Sequence, residues 1–126
     1  MSFDWSEYLT LAQELTSASI SSPIQEAHLR AAISRAYYAA FCKARNYLHN
    51  KDGYLTPRGT NAHLDVIMKF ERSSNMGRRK VGALLRSLRG IRNLVDYEEI
   101  FPGNQLGRTQ GALSESERVI RLLQTI

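Results

Sequence analysis

The chain has 126 residues, 43% hydrophobic and 23% charged, which is enough for one domain with its own core and too apolar for a disordered segment. The lone cysteine, Cys42, excludes an internal disulfide and offers no zinc-ligand spacing. The longest strongly apolar run is Ala36 to Cys42, too short to span a bilayer, and Met1 to Tyr8 holds Asp4 and Glu7 without a basic leader. The expectation is a single cytoplasmic domain, residues 1–126, with no membrane partner. The net charge of +5 is unevenly spread: residues 69–95 carry eight cationic side chains against Glu71 alone, a block of +7. Such a block suits a polyanion such as RNA, or else forms a solvated helix face balanced by acids elsewhere.

Five helical segments follow in chain order, with no run of period two long enough for a strand. The first covers Asp4 to Thr16, with Trp5, Tyr8, Leu9, Ala12 and Leu15 at helical spacing, and the serine-rich stretch Ser17 to Ser22 ends it. The second opens on Ser22 as N-cap, Pro23 at the first helical position and Gln25 completing a capping box, and continues to about Leu48. Its polar and small stripe is narrow: Gln25, His28, Ala32, Arg35, Ala39, Lys43 and Asn46. The remaining circumference is apolar or aromatic, which marks the central helix of a bundle.

Residues 49–59, with Asp52-Gly53 and Pro57, read as a loop. A third helix spans Asn61 to Glu71 on Leu64, Ile67, Met68 and Phe70. The fourth, Arg79 to Asp96, buries Val81, Leu84, Leu85, Leu88, Ile91 and Val95 and places Arg86, Arg89, Asn93 and Tyr97 opposite, with Arg92 at the border. Gly103 to Gly111 reads as a loop or frayed start. The last helix covers Leu113 to Gln124, with Ser114 or Ser116 as cap. The fold class is therefore all-α, a four- to five-helix up-and-down bundle.

The fourth helix also holds the chemistry-bearing residues. Arg92 and Asp96, four residues apart, share a face. They form either a plain intrahelical ion pair or an arginine held in orientation to grip a phosphate. Tyr37 and Tyr38 read as core and interface packing. His28, His49 and His63 show no ligand spacing with each other or with Cys42, and the chain has no glycine-rich phosphate loop, so neither metal nor cofactor is expected.

Two stretches resemble a known family. Ala36 to Arg45, reading AYYAAFCKAR, is similar to the central helix of the HEPN (higher eukaryotes and prokaryotes nucleotide-binding) family. Arg92 to Tyr97, reading RNLVDY, resembles the RxxxDY ending of the fourth helix in a bacterial and archaeal subgroup. Thr60 to Phe70, with His63, resembles that subgroup's third helix. The resemblance implies a small HEPN-like helical bundle that homodimerises through its central and fourth helices. It implies work in a toxin–antitoxin-like or RNA-related module, with RNA or nucleotide facing a basic cleft around Arg92.

Many members of that family are metal-independent endoribonucleases with an R-x(4–6)-H motif, and others accompany a small nucleotidyltransferase. Carried over, the motif arginine is Arg92, followed by Asn93, and the histidine position falls on Tyr97. A tyrosine is a poor proton acceptor at neutral pH, so RNA binding by Arg86, Arg89, Arg92, Asn93 and Asp96 is expected with slow cleavage or none. The alternatives are a non-catalytic partner of a small nucleotidyltransferase and a structural scaffold. His28, on the polar stripe of the second helix, is either a satisfied structural or surface histidine or one that a dimer cleft brings toward Arg92. Arg92 and Tyr97 lie about 140° apart on a regular helix, so they converge within one chain only where the helix ends.

Overall fold

The computed structural model describes residues 2–126 and contains five helices and, among those residues, no strand. They are α1 (Glu7–Ser19), α2 (Gln25–Asp52), α3 (Ala62–Glu71), α4 (Met76–Tyr97) and α5 (Gln105–Thr125). No helix among the described residues is long and apolar enough to cross a membrane.

The boundaries shift where side chains compete for backbone groups. Asp4 lies before α1, where its carboxylate accepts from both the backbone N–H and the hydroxyl of Ser6. At the other end Thr16 and Ser19 turn their hydroxyls back onto carbonyls of α1, so the serine-rich stretch prolongs the helix to Ser19. The capping box does not form. The Ser22 hydroxyl accepts from Ile24 N–H at 3.1 Å, and the helix opens at Gln25 itself. α2 then runs past Leu48 to Asp52 and stops on Gly53, whose φ of 65° lies in the left-handed region that glycine adopts without strain.

The largest difference is at α5. It begins at Gln105, within the stretch read as a loop, because Asn104 caps it by accepting from Gly107 N–H at 2.9 Å. Gly107 and Gly111 each weaken a helix by about 1 kcal/mol relative to alanine. Burial of Thr109 and Ala112 in the same turns overrides that penalty. Ser116 is therefore mid-helix and not a cap. It is fully buried and donates to the carbonyl of Ala36 on α2 at 2.7 Å.

α2 is the axis of the bundle. Its alanines Ala32, Ala36 and Ala39 pack against Leu9 and Ala12 of α1. Its larger side chains, Leu29, Ile33, Tyr37, Phe41 and Leu48, enter the main core with Val66, Ile67 and Phe70 of α3, Leu85 and Leu88 of α4, and Val119 of α5. The apolar girth of α2 is thus consumed within one chain. Contacts between helix ends give the directions: Arg30 near the start of α2 reaches the end of α4, and Tyr47 near its end meets Arg78 at the start of α4. α2 and α4 are antiparallel. Tyr37 meets His63 and Tyr47 meets Phe70, so α3 runs parallel to α2 and residues 53–61 lead the chain back along the bundle. Up-and-down alternation is broken at that one connection.

One side chain fixes the end of α4. Arg30 donates to the carbonyls of Val95, Glu98 and Glu99 at 2.8, 2.6 and 2.8 Å, while Glu26 pairs with its Nε at 2.9 Å. Carbonyls that a helix C-terminus leaves unpaired are satisfied from α2, and the turn carrying Asp96 and Tyr97 is held in place.

Candidate functional site

The cationic block of residues 69–95 separates into neutralised and free members. Arg86 makes a two-pronged pair with Glu71 at 2.6 and 2.8 Å, and Arg78 does the same with Asp52 at 2.7 and 3.0 Å. Each pair holds its carboxylate below the usual range. Arg79 turns onto the carbonyls of Ser73 and Ser74. Arg89 is half-buried, and its Nε is buried without a hydrogen-bond partner. Asn93 is half-buried one residue beyond Arg92.

Arg92 is the exception on this helix. It is only 7% exposed, and its Nε too is buried without a hydrogen-bond partner. The nearest carboxylate oxygen, on Asp96, lies 3.9 Å from Nη1, too far for a direct hydrogen bond. Tyrosine rings surround the guanidinium instead: Tyr37 at 5.0 Å, Tyr38 at 5.6 Å and Tyr97 at 5.9 Å from Cζ to ring centroid. Ring faces attract a cation but do not cancel its charge. Asp96 is also shared, since Ser34 donates to it at 3.2 Å.

Arg92 and Tyr97 do converge within one chain. α4 ends at Tyr97, and the 73%-exposed side chain folds back so that Arg92 Nη1 lies 3.4 Å from its hydroxyl. His28 does not join them: it stays in the first turn of α2 with Nδ1 against Ile24 O.

The histidine beside Arg92 is His63, from α3. Its ring stacks on Phe41 at 4.1 Å, lies nearly parallel to Tyr37 at 5.6 Å, and meets Tyr38 edge-on at 6.0 Å. Its Nδ1 shares a hydrogen bond with the Tyr37 hydroxyl. Burial, and then the positive charges of Arg92, Arg89 and Arg45, hold its pKa below the ordinary value, so the imidazole is neutral at neutral pH. Burial also pushes Tyr37 well above the usual phenol range, and its hydroxyl keeps its proton. A signal for His63 existed in the sequence. It precedes Val66, Ile67 and Phe70 by three, four and seven residues, which puts it on the buried face of α3.

The arrangement is thus a buried arginine lacking a close counter-ion, a second arginine with an unpartnered Nε, a neutral imidazole and three phenols, drawn from three helices. It has the donors to bind an oxyanion, and no neighbouring group of three or more metal-ligating side chains exists among the described residues. No protein-family model, curated protein or solved structure matches the chain.

Proposed function

We propose that the chain is a HEPN-like domain of a toxin–antitoxin-like or RNA-related module, and that Arg92 grips a phosphate of a bound RNA or nucleotide. One observation carries this reading: Arg92 is 7% exposed with no carboxylate in hydrogen-bonding reach. A guanidinium cannot shed its charge, and a buried charge whose counter-ion, here Asp96 at 3.9 Å, stands beyond hydrogen-bonding distance is costly. A phosphate supplies both the charge and the planar pair of acceptors that its free edge demands. The charged RNxxDY turn and the basic block around it support the same ligand class. Tyr97 stands where the resemblance would place a histidine, so binding with slow cleavage or none is the expected behaviour.

The test is fluorescence anisotropy on a labelled oligoribonucleotide across a salt series. Wild type binds with a negative salt slope, as released counterions require. Arg92→Ala weakens binding by about tenfold or more, the equivalent of one charge-assisted hydrogen-bonded contact. Arg92→Lys, which keeps the charge and loses the fork, recovers only part of it. Arg86→Ala has a smaller effect, because Glu71 already neutralises Arg86. Binding that is indifferent to both salt and Arg92 sinks the proposal.

A further inference from the structure

We infer that the Arg92 cleft is one end of a track for single-stranded RNA that crosses α2 and ends at Trp5. The inference rests on Arg92 as a phosphate ligand and extends it along α2 to Arg35, Tyr8 and Trp5, which lie outside the stretches that resemble the family, by way of Tyr38 and Arg45. Guanidinium and ring alternate from the cleft outward. Tyr38, whose ring lies 5.6 Å from Arg92 Cζ, is shared with Arg35 at 5.2 Å. Arg35 also lies over Tyr8 at 4.9 Å. Tyr8 packs edge-on to Trp5 at 5.6 Å, and Trp5 lies under Arg45 at 5.6 Å.

These arginines are chemically unlike Arg30, Arg78 and Arg86, each of which holds a carboxylate within 3 Å. Arg35 reaches only the Ser34 hydroxyl, at 3.4 Å, and Arg45 only the side-chain oxygen of Asn46, at 3.3 Å. The acids beside the path are Asp96, near Arg92, Asp4, which Lys43 pairs at 2.9 Å, and Glu7, next to Tyr8, against the cations Arg92, Arg35, Arg45 and Lys43. The path is therefore net cationic. Packing of α1 on α2 does not require this arrangement, since Leu9 and Ala12 against the alanines of α2 already seal that contact.

Arg35, Tyr38 and Arg45 are spaced by three and seven residues, so they share one face of α2 over about 15 Å. A half-buried ring between unneutralised cations offers a stacking surface and phosphate contacts together, which is how single strands are held without sequence readout. A duplex keeps its bases paired and stacked and has none to offer such rings. The length suits about four nucleotides, the lower end of single-strand site sizes.

Trp5 is the one tryptophan in the chain, so its fluorescence reports the far end of the track. The dinucleotide UpU and an octamer of uridine are titrated against wild type, Arg92→Ala, Arg35→Gln and Arg45→Gln, with circular dichroism confirming that each variant is folded. The octamer is expected to bind more tightly than UpU and to quench Trp5, which UpU does not. Arg35→Gln and Arg45→Gln each weaken the octamer several-fold and leave UpU unchanged, whereas Arg92→Ala weakens both. An octamer that binds no tighter than UpU, or saturates without moving Trp5, overturns the track while a surviving Arg92 effect keeps the phosphate reading. Indifference of both ligands to Arg92→Ala overturns the phosphate reading and the track together.

Discussion

His63 enters the fold with its imidazole partly stripped of water and with Arg92, Arg89 and Arg45 disfavouring its protonated form. The sign of the resulting pH dependence follows. The unfolded chain binds a proton near the ordinary value of 6.5, and the folded chain does not until the pH is lower. Below neutrality the unfolded state therefore carries more protons, and stability falls as the pH drops through that window. His63→Gln, which keeps a hydrogen-bonding group for Tyr37, should flatten this part of the profile. Urea denaturation between pH 7.5 and 5 checks it, and equal slopes in the two proteins would refute the assignment. The range stays above the carboxylates, because Asp4, held at about 2 by Ser6 and Lys43, and the lowered Glu26, Asp52 and Glu71 lose their stabilising contribution only in stronger acid.

At the scale of elements, α3 and α4 approach closely at Gly82. A Cβ there would stand 2.7 Å from both the backbone nitrogen and Cγ of Glu71 and 3.0 Å from its Cα. Backbone cannot swing aside as a flexible side chain does, so Gly82→Ala has to force the two helices apart. Overpacking costs about 1–3 kcal/mol, against about 1 kcal/mol gained in helix propensity, so the net effect is destabilising. Gly90, on the same helix with nothing within 4 Å of its Cβ position, is the control. Gly90→Ala should stabilise by about 0.5–1 kcal/mol. Chemical denaturation of both variants decides it, and a stabilised Gly82→Ala would show that the contact is softer than its geometry. The same approach aligns Glu71 with Arg86, so it also determines which arginine of the basic block remains free.

At the scale of the whole molecule, the family resemblance implies a second copy. The apolar circumference of α2 gives no reason for one, since α1, α3, α4 and α5 cover it. Among the exposed apolar side chains, which also include Ile20, Ile24, Leu55 and Met76, two lie together in a shelf at the end of α4, where Tyr97 is 73% and Ile100 75% exposed beside Leu94 and Pro102. A homodimer is expected to close through this shelf in a two-fold contact. Sedimentation should give twice the 14.3 kDa chain mass, and Ile100→Glu should shift the equilibrium to monomer. A 14.3 kDa species alone at high concentration would exclude the dimer.

The sequence by itself determined the helices, because a period near 3.6 in apolar residues is a local property that needs no partner to be read. It also put α2 at the centre and singled out Arg92 and the turn ending at Tyr97. It misplaced the start of α5, because glycine propensity is local while the burial that overrides it is not. It named His63, Arg35 and Arg45 but gave them no part in the site, because their place there is set by neighbours 26 or more residues away along the chain or on another helix. Charge in the sequence is a sum, and pairing is a matter of position. Only the tertiary structure decided that Glu71 and Asp52 would neutralise Arg86 and Arg78 and that Arg92 would be buried among tyrosine rings without a close counter-ion.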